Sequence, residues 1–153
     1  MRLFVSRYLN LQGEMDHEQD CDLKLSDGLS ERLQIRKVKA LTTPRVISLA
    51  KEKQQLGQFY GAEVVDMEGY ALLQLFQDLA MPAVAMSVLR VISDDCYHDI
   101  PDLSSTIDLQ GQLRWGTLTL GLVRQPLPAW HLIRGSLKGL TVLEHTIQNL
   151  LCS

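Results

Sequence analysis

A run of ten residues from Ala83 to Ile92 is almost entirely apolar and carries one charge, Arg90. Continuous apolar runs of this kind indicate a strand that is buried on both faces, as in the parallel or mixed sheets of α/β proteins. Ser93, Asp94 and Asp95 follow the run, at the predicted carboxyl edge of the sheet, where open α/β sheets bind ligands. A lone buried charge is costly, so we expect Arg90 to have an acidic partner.

The remaining sequence alternates between strand and helix patterns and predicts one domain, 1–153, with an α/β fold: a mixed central sheet flanked by helices. Further strands are predicted where β-branched and aliphatic residues cluster, at Leu3–Leu11, Lys37–Thr43 and Val64–Val65. Helices are predicted from capping residues and apolar periodicity: one that starts at Ser26, then Thr43–Gln55, Gly69–Leu79, Leu113–Val123 and Leu127–Leu151. The polar stretch Gln12–Asp22 is predicted to be a loop, or a loop with a turn of helix.

Composition argues against several classes of function. The net charge is -3 and no basic patch stands out, so we expect no nucleic-acid partner. No apolar run approaches the roughly 20 residues that span a bilayer, and no secretory signal is visible, which predicts a cytoplasmic protein without a membrane span.

Cysteine and acidic residues give little support for a metal site. The three cysteines are scattered, which fits free thiols in a reducing compartment better than a disulfide framework or zinc site. Cys96 lies beside Asp95, where a catalytic thiol is an alternative to a partly buried one. The acidic stretch from Glu14 to Asp20 lacks the spacing of a calcium loop, so we predict a solvated loop and no metal.

Two pairs of carboxylates flank the predicted helix and strand: Asp66 with Glu68, and Asp94 with Asp95. Asp94 follows an apolar strand, where partial desolvation favours a protonated acid that can donate a proton. Glu68 lies at a loop-to-helix junction, where an ionised carboxylate can accept hydrogen bonds from hydroxyl groups. One acid and one hydroxyl-binding carboxylate suit cleavage of a glycosidic bond through a cationic sugar. The alternative is structural: acids at a helix start and an aspartate that caps a strand end.

The sequence V-D-M-E-G from Val65 to Gly69, followed by R-V-I-S-D from Arg90 to Asp94, resembles the purine nucleoside phosphorylase and nucleosidase superfamily. That superfamily includes the methylthioadenosine/S-adenosylhomocysteine nucleosidases. Its pattern is V-x-M-E before a helix and then a strand that ends in R-x-I-S-D. Both halves occur here in the expected order, so the resemblance implies a nucleoside phosphorylase-like fold.

The resemblance also implies a role for each matching residue. Asp94 would be the general acid that protonates or hydrogen-bonds the leaving purine, and Glu68 would bind the ribose hydroxyls and stabilise the oxocarbenium-like sugar. Met67 would pack against the ribose, Ser93 would orient Asp94, and Arg90 would pair with acids in the pocket floor.

Two further substrate contacts are implied by position. Ile47 lies where the family contacts the purine through backbone groups, and Val65 precedes the acidic motif. The implied partner is a purine nucleoside of the adenosyl type, and a homo-oligomer is left open. No cofactor is implied beyond phosphate, which would be a co-substrate if the bond is cleaved by phosphorolysis rather than by water.

The C-terminal third resembles the hopanoid-associated phosphorylases of the same superfamily. The matching segments are Asp99–Pro101, Leu122–Pro126 and Leu132–Arg134. Those enzymes are implied to cleave an adenosyl group from a lipid side chain. The apolar tail would suit a lipid-facing surface, and a plain packing helix is the alternative.

The family's Gly-rich loop, which holds phosphate or the attacking water, has no counterpart among the ten dispersed glycines of this sequence. We therefore expect the chain to match the C-terminal portion of the family domain. Two hypotheses follow: a nucleoside-cleaving enzyme, or a non-catalytic remnant that acts as a nucleoside-binding or dimerisation module.

Overall fold

The computed structural model describes residues 2–11, 17–79, 84–102 and 115–151. Within these ranges the chain forms a mixed α/β fold. The strands are β1 Arg2–Asn10, β2 His17–Asp20, β3 Lys37–Thr42, β4 Val64–Asp66 and β5 Val88–Val91. The helices are α1 Leu23–Leu33, α2 Ala50–Tyr60, α3 Gly69–Asp78, α4 Trp115–Arg124 and α5 Pro126–Leu151.

The sheet is built around β1. Strand β3 runs parallel to β1 along one edge, and β4 runs parallel to β3 beyond it. Strands β2 and β5 are both antiparallel to β1 and share its other edge, β5 pairing with residues 2–5 and β2 with residues 7–10. The predicted mixed central sheet flanked by helices is therefore confirmed.

Successive residues of β1 serve opposite faces of the sheet, because side chains alternate along a strand. Tyr8 belongs to a buried cluster that includes Leu73 of α3. Leu9 belongs to a second cluster, against which Leu56 and Tyr60 of α2 pack. Helices α2 and α3 thus lie on opposite sides of β1, and both approach the ends of β3 and β4.

Helix α2 begins at Ala50, six residues after the predicted Pro44 start. The Thr43 backbone N–H donates to the Asp66 carbonyl at 2.8 Å, and its hydroxyl donates to the Arg45 carbonyl at 2.9 Å. These bonds hold Thr43 at the end of β3 instead of at a helix cap. The Ala50 N–H is capped from outside the helix by Asp99 Oδ1 at 2.7 Å.

Two other local predictions near the N-terminus were wrong. Asp22 caps α1, accepting the Leu25 N–H at 2.7 Å, whereas Ser26 is buried within the helix, 3.0 Å from the Ser87 hydroxyl. Residues His17–Asp20 form β2 rather than a loop, because their backbone completes the free edge of β1.

The apolar run after residue 83 also differs from its prediction. Strand β5 is half-buried along its length instead of buried on both faces, because it occupies only part of one edge of β1. It runs antiparallel to β1, with Val91 opposite Arg2, whereas Asp66 is level with Thr42 at the other end. Ser93 and Asp94 therefore do not follow the carboxyl end of a parallel strand.

Several predictions from local sequence are confirmed. Strands β3 and β4 and helix α3 lie where they were predicted, whereas α2 runs past the predicted Gln55 to Tyr60 and is capped by Gly61, whose φ of 61° suits a glycine. Proline cannot continue a helix, so the sequence also predicts that Met81-Pro82 stops α3, and these two residues lie outside the described ones. No helix among the parts of the chain that the structure describes is long and apolar enough to cross a membrane.

Gly69 offers a test of how closely α3 packs on β1. A Cβ atom at Gly69 would overlap the ring of Tyr8, so we expect Gly69→Ala to destabilise the fold by about 1–3 kcal/mol. Gly28→Ala in α1 is the matched control: its Cβ meets nothing within 4 Å, so the helix should gain about 0.5–1 kcal/mol. Urea denaturation measures both, and equal effects would contradict this packing.

Candidate functional site

The carboxylate of Asp66 is the centre of a largely buried polar network. Its side chain is 9% exposed and pairs with the Arg90 guanidinium through Oδ2. The same oxygen accepts the Tyr8 hydroxyl at 3.0 Å, while Oδ1 accepts the Thr42 hydroxyl at 2.9 Å and the Gly69 N–H at 3.1 Å. Four donors from β1, β3, α3 and β5 thus converge on one carboxylate, as a buried charge requires.

Local sequence explains why Asp66 takes this position. It is the last residue of β4, whose pairing with β3 places it level with Thr42. Gly69 then begins α3 against the Tyr8 ring, where only glycine has room. The Thr42 hydroxyl also accepts the Tyr70 N–H at 3.0 Å, so one threonine links the helix start to the carboxylate.

The network changes the proton affinity of Tyr8 and Arg90. Burial raises the pKa of the Tyr8 phenol, and the charge of Asp66 raises it further, while Arg90 acts in the opposite direction. Burial alone lowers the pKa of Arg90, but Tyr8 and Asp66 more than compensate and raise it overall. Arg90 therefore has the acidic partner that its position in an apolar strand demanded.

Asp94 lies in a second polar cluster beyond β5. Lys53 of α2 donates to Asp94 Oδ2 at 2.6 Å, and the Ser93 hydroxyl donates to Asp94 Oδ1 at 3.0 Å. The Lys53 ammonium also donates to the carbonyls of Asp95 at 3.0 Å and His98 at 3.3 Å. The Lys53 side chain is only 10% exposed, and its ammonium binds the segment that carries Asp94.

The Asp95 side chain is engaged in hydrogen bonds with the turn that follows it. Its carboxylate accepts the backbone N–H groups of Tyr97 and His98 and contacts the His98 ring at 2.9 Å. Burial alone raises the pKa of Asp95, but these hydrogen bonds lower it overall. Asp95 therefore closes the turn that follows Asp94.

The loop between β3 and α2 joins the two clusters. At its start, Thr43 bonds the Asp66 carbonyl, as described above. At its end, the Ser48 carbonyl accepts the Ile100 N–H at 2.9 Å, next to the Ala50–Asp99 bond. The segment that follows Asp94 is therefore held against the start of α2.

The predicted site residues fall into three segments, and the structure joins them only partly. Met67 and Glu68 are exposed at the turn before α3, Val65 is half-buried in β4, and Ile47 is buried in the loop after β3. Ser93 contacts Asp94 directly, and Arg90 ties its strand to Asp66. Among the residues described, no hydrogen bond or ion pair joins Glu68 to Asp94.

Sequence reasoning missed Tyr8, Thr42 and Lys53, all of which contact the predicted site. Tyr8 and Thr42 lie in β1 and β3, where an aromatic ring and a threonine are ordinary strand residues. Lys53 is one of several charged residues in a helix, and such charges usually face solvent. Only the fold brings these three side chains to Asp66 and Asp94.

Within the ranges that the structure covers, no group of three or more His, Cys, Asp or Glu side chains is placed to hold a metal ion. Glu18 and Asp20, from the acidic stretch, instead pair with Arg7, each at 2.6 Å.

The fold is shared with solved nucleosidases. The 5'-methylthioadenosine/S-adenosyl homocysteine nucleosidase of Campylobacter jejuni matches 64% of this chain at 17% identity with a TM-score of 0.53. The 5'-methylthioadenosine nucleosidase of Arabidopsis thaliana matches 92% of the chain at 15% identity, TM-score 0.51. The futalosine hydrolase of Helicobacter pylori matches 92% at 13% identity, TM-score 0.50. At these identities the likeness establishes the fold.

The match covers 49% of the Campylobacter structure, 53% of the Arabidopsis structure and 58% of the Helicobacter structure. The chain thus spans about half the length of the solved structures it matches. No protein-family model and no curated protein matches the sequence.

The buried phenol of Tyr8 gives a pH-dependent test of the network. Because its pKa is raised in the folded protein, stability should fall as pH rises above about 10, the ordinary value of tyrosine. Near that pH, native wild type and Tyr8→Phe should show the same phenolate absorbance. In denaturant, wild type should show more phenolate than Tyr8→Phe, and the same excess in the native state would contradict the buried network.

Proposed function

We propose that this chain binds a purine nucleoside and takes part in cleaving its N-glycosidic bond, with Glu68 on the ribose and Asp94 on the leaving base. The observation that carries the proposal is the ion pair between Arg90 and Asp66. Arg90 precedes Asp94 by four residues, and Asp66 precedes Glu68 by two. One buried contact therefore fixes the two acidic motifs relative to each other.

Glu68 is suited to bind hydroxyl groups. It lies at the N-terminal boundary of α3, where the helix dipole favours a negative charge, and it is exposed. No side-chain hydrogen bond or ion pair occupies it within the described part of the chain. The hydrogen bonds of Asp66 hold the turn that carries Glu68. The exposed Glu68 carboxylate is therefore fixed in position, where it can stabilise the positive charge that develops on the sugar.

Asp94 is suited to act on the base. Ser93 and Lys53 each donate to one of its oxygens and so fix the carboxyl group in orientation. Lys53 carries the proton nearest to Asp94, and a leaving purine needs a proton as its bond to the sugar breaks. The support for base protonation is therefore the Lys53–Asp94 pair, rather than the desolvation that the sequence suggested.

A second candidate is nucleoside binding without turnover. The observation that favours it is the ion pair between Lys53 and Asp94, because a carboxylate held by an ammonium is a good hydrogen-bond acceptor but releases no proton by itself. Among the residues that the structure describes, none is assigned to hold the attacking group, water or phosphate. Catalysis depends strongly on the alignment of that group.

Turnover assays separate the two candidates. The chain would be incubated with methylthioadenosine, S-adenosylhomocysteine and inosine, with and without phosphate, and free base measured. An enzyme should release base, and Asp94→Asn should lower the rate by about 10²–10⁴-fold, because an amide cannot take up the Lys53 proton and pass it to the leaving base. Glu68→Gln should also lower it, while Asp78→Asn, an exposed acid at the end of α3, should not.

The outcomes are distinct. Release of base that Asp94→Asn leaves unchanged would contradict the role of Asp94. Nucleoside binding without base release, weakened by Glu68→Gln, would favour the binding module. The proposal would be overturned if the chain neither bound any of the three nucleosides nor released base from them.

A further inference from the structure

Helix α5 is apolar on two opposite faces, and only one of them is covered. On the inner face, Gly135 lies so close to the Ser93 carbonyl that a Cβ atom would overlap it, and Thr146 is fully buried. Leu150 packs against Leu33 and Ile35 near the C-terminal end. These contacts fix which way α5 faces.

The outer face carries a stripe of large apolar side chains that are 43% to 79% exposed: Trp130, Ile133, Leu137, Leu140, Ile147 and Leu151. We name these six residues the α5 stripe. A helix that is apolar on both sides normally has both sides covered. An exposed patch of this size marks an interaction surface.

The spacing of the α5 stripe specifies the kind of partner. Its members follow each other at intervals of three and four residues, with Glu144 in the one remaining position of the series. Alternating intervals of three and four give a repeat of 3.5 residues, the pattern that pairs one helix with another in a coiled coil. The partner is therefore a helix, and a second α5 offers a matching stripe.

The symmetry of the stripe specifies the orientation. The midpoint of Pro126–Leu151 falls between Lys138 and Gly139. An antiparallel pair centred there places Leu137 opposite Leu140 of the second copy and Trp130 opposite Ile147. The whole helix, about 39 Å long, is then paired.

Charge selects the antiparallel arrangement over the parallel one. Glu144 is the only acidic residue of α5, and a parallel pair would set the two copies of it side by side. In the antiparallel pair, Glu144 lies opposite Ile133 and beside Arg134 of the second copy. The two carboxylates are then about 16 Å apart along the axis, and each has a guanidinium neighbour.

We propose that the α5 stripe is a self-association surface, through which two copies of this chain form an antiparallel helix pair. The surface is separate from Asp66, Glu68 and Asp94, so it does not depend on the proposed nucleoside chemistry. A two-fold contact of this kind is the commonest way in which identical chains assemble.

The experiment is a mass measurement of the full 153-residue chain by light scattering and sedimentation, at about 1–100 µM. Wild type should have twice the monomer mass of 17.3 kDa. Leu137→Glu and Leu140→Lys should each reduce it to 17.3 kDa, because either change places a charge against a leucine. Phe59→Glu is the matched control, since Phe59 is 80% exposed on α2, away from the stripe.

The double variant Leu137→Glu/Leu140→Lys tests the orientation. In the antiparallel pair, the new carboxylate at 137 faces the new ammonium at 140 of the other copy, so the dimer should return. In a parallel pair, the carboxylate at 137 would face the carboxylate of the other copy and the ammonium at 140 would face the other ammonium. The chain would then stay monomeric. Circular dichroism should show that each variant keeps its helix content.

Three results would overturn the proposal. One is a wild-type mass of 17.3 kDa throughout the concentration range, which would leave the α5 stripe to another segment or partner. The second is a dimer that survives both single changes or is lost in Phe59→Glu. The third is a double variant that stays monomeric.

Discussion

The ion pair between Asp66 and Arg90 joins the two halves of the site, which otherwise belong to opposite ends of the sheet. Strand β5 ends beside the start of β1, whereas β4 ends beside the finish of β3, which runs parallel to β1. The Arg90 side chain spans this separation and meets Asp66, where Tyr8 also donates. That contact adds a direct side-chain link between the two acidic motifs to the strand pairing and to the contacts of the loop between β3 and α2.

The sequence could predict the elements whose signals are local. The helix that begins at Gly69 and the strand at Val64–Val65 follow from residue type and spacing, and both occur as expected. The partners of the site residues could not be predicted in this way. Tyr8 is 58 residues from Asp66, and Lys53 is 41 residues from Asp94, so only the packed sheet brings them together.

Some of the wrong predictions share one physical cause, which is that tertiary contacts replaced local ones. Thr43 and Pro44 make a good helix start, yet Thr43 is bonded to β4, and α2 takes its cap from Asp99. In α5, periodicity reveals two apolar faces but not which of them packs inward. The close contact between Gly135 and Ser93 decides that question and leaves the α5 stripe outside.

A double-mutant cycle on Asp66→Asn and Arg90→Gln tests most directly whether this ion pair holds the site together. Urea denaturation of wild type, both single variants and the double variant gives the coupling free energy between the two side chains. A buried, hydrogen-bonded pair predicts a coupling of about 2 kcal/mol or more, because each single change leaves the other charge unpaired. Effects that add to within about 0.5 kcal/mol would contradict the account.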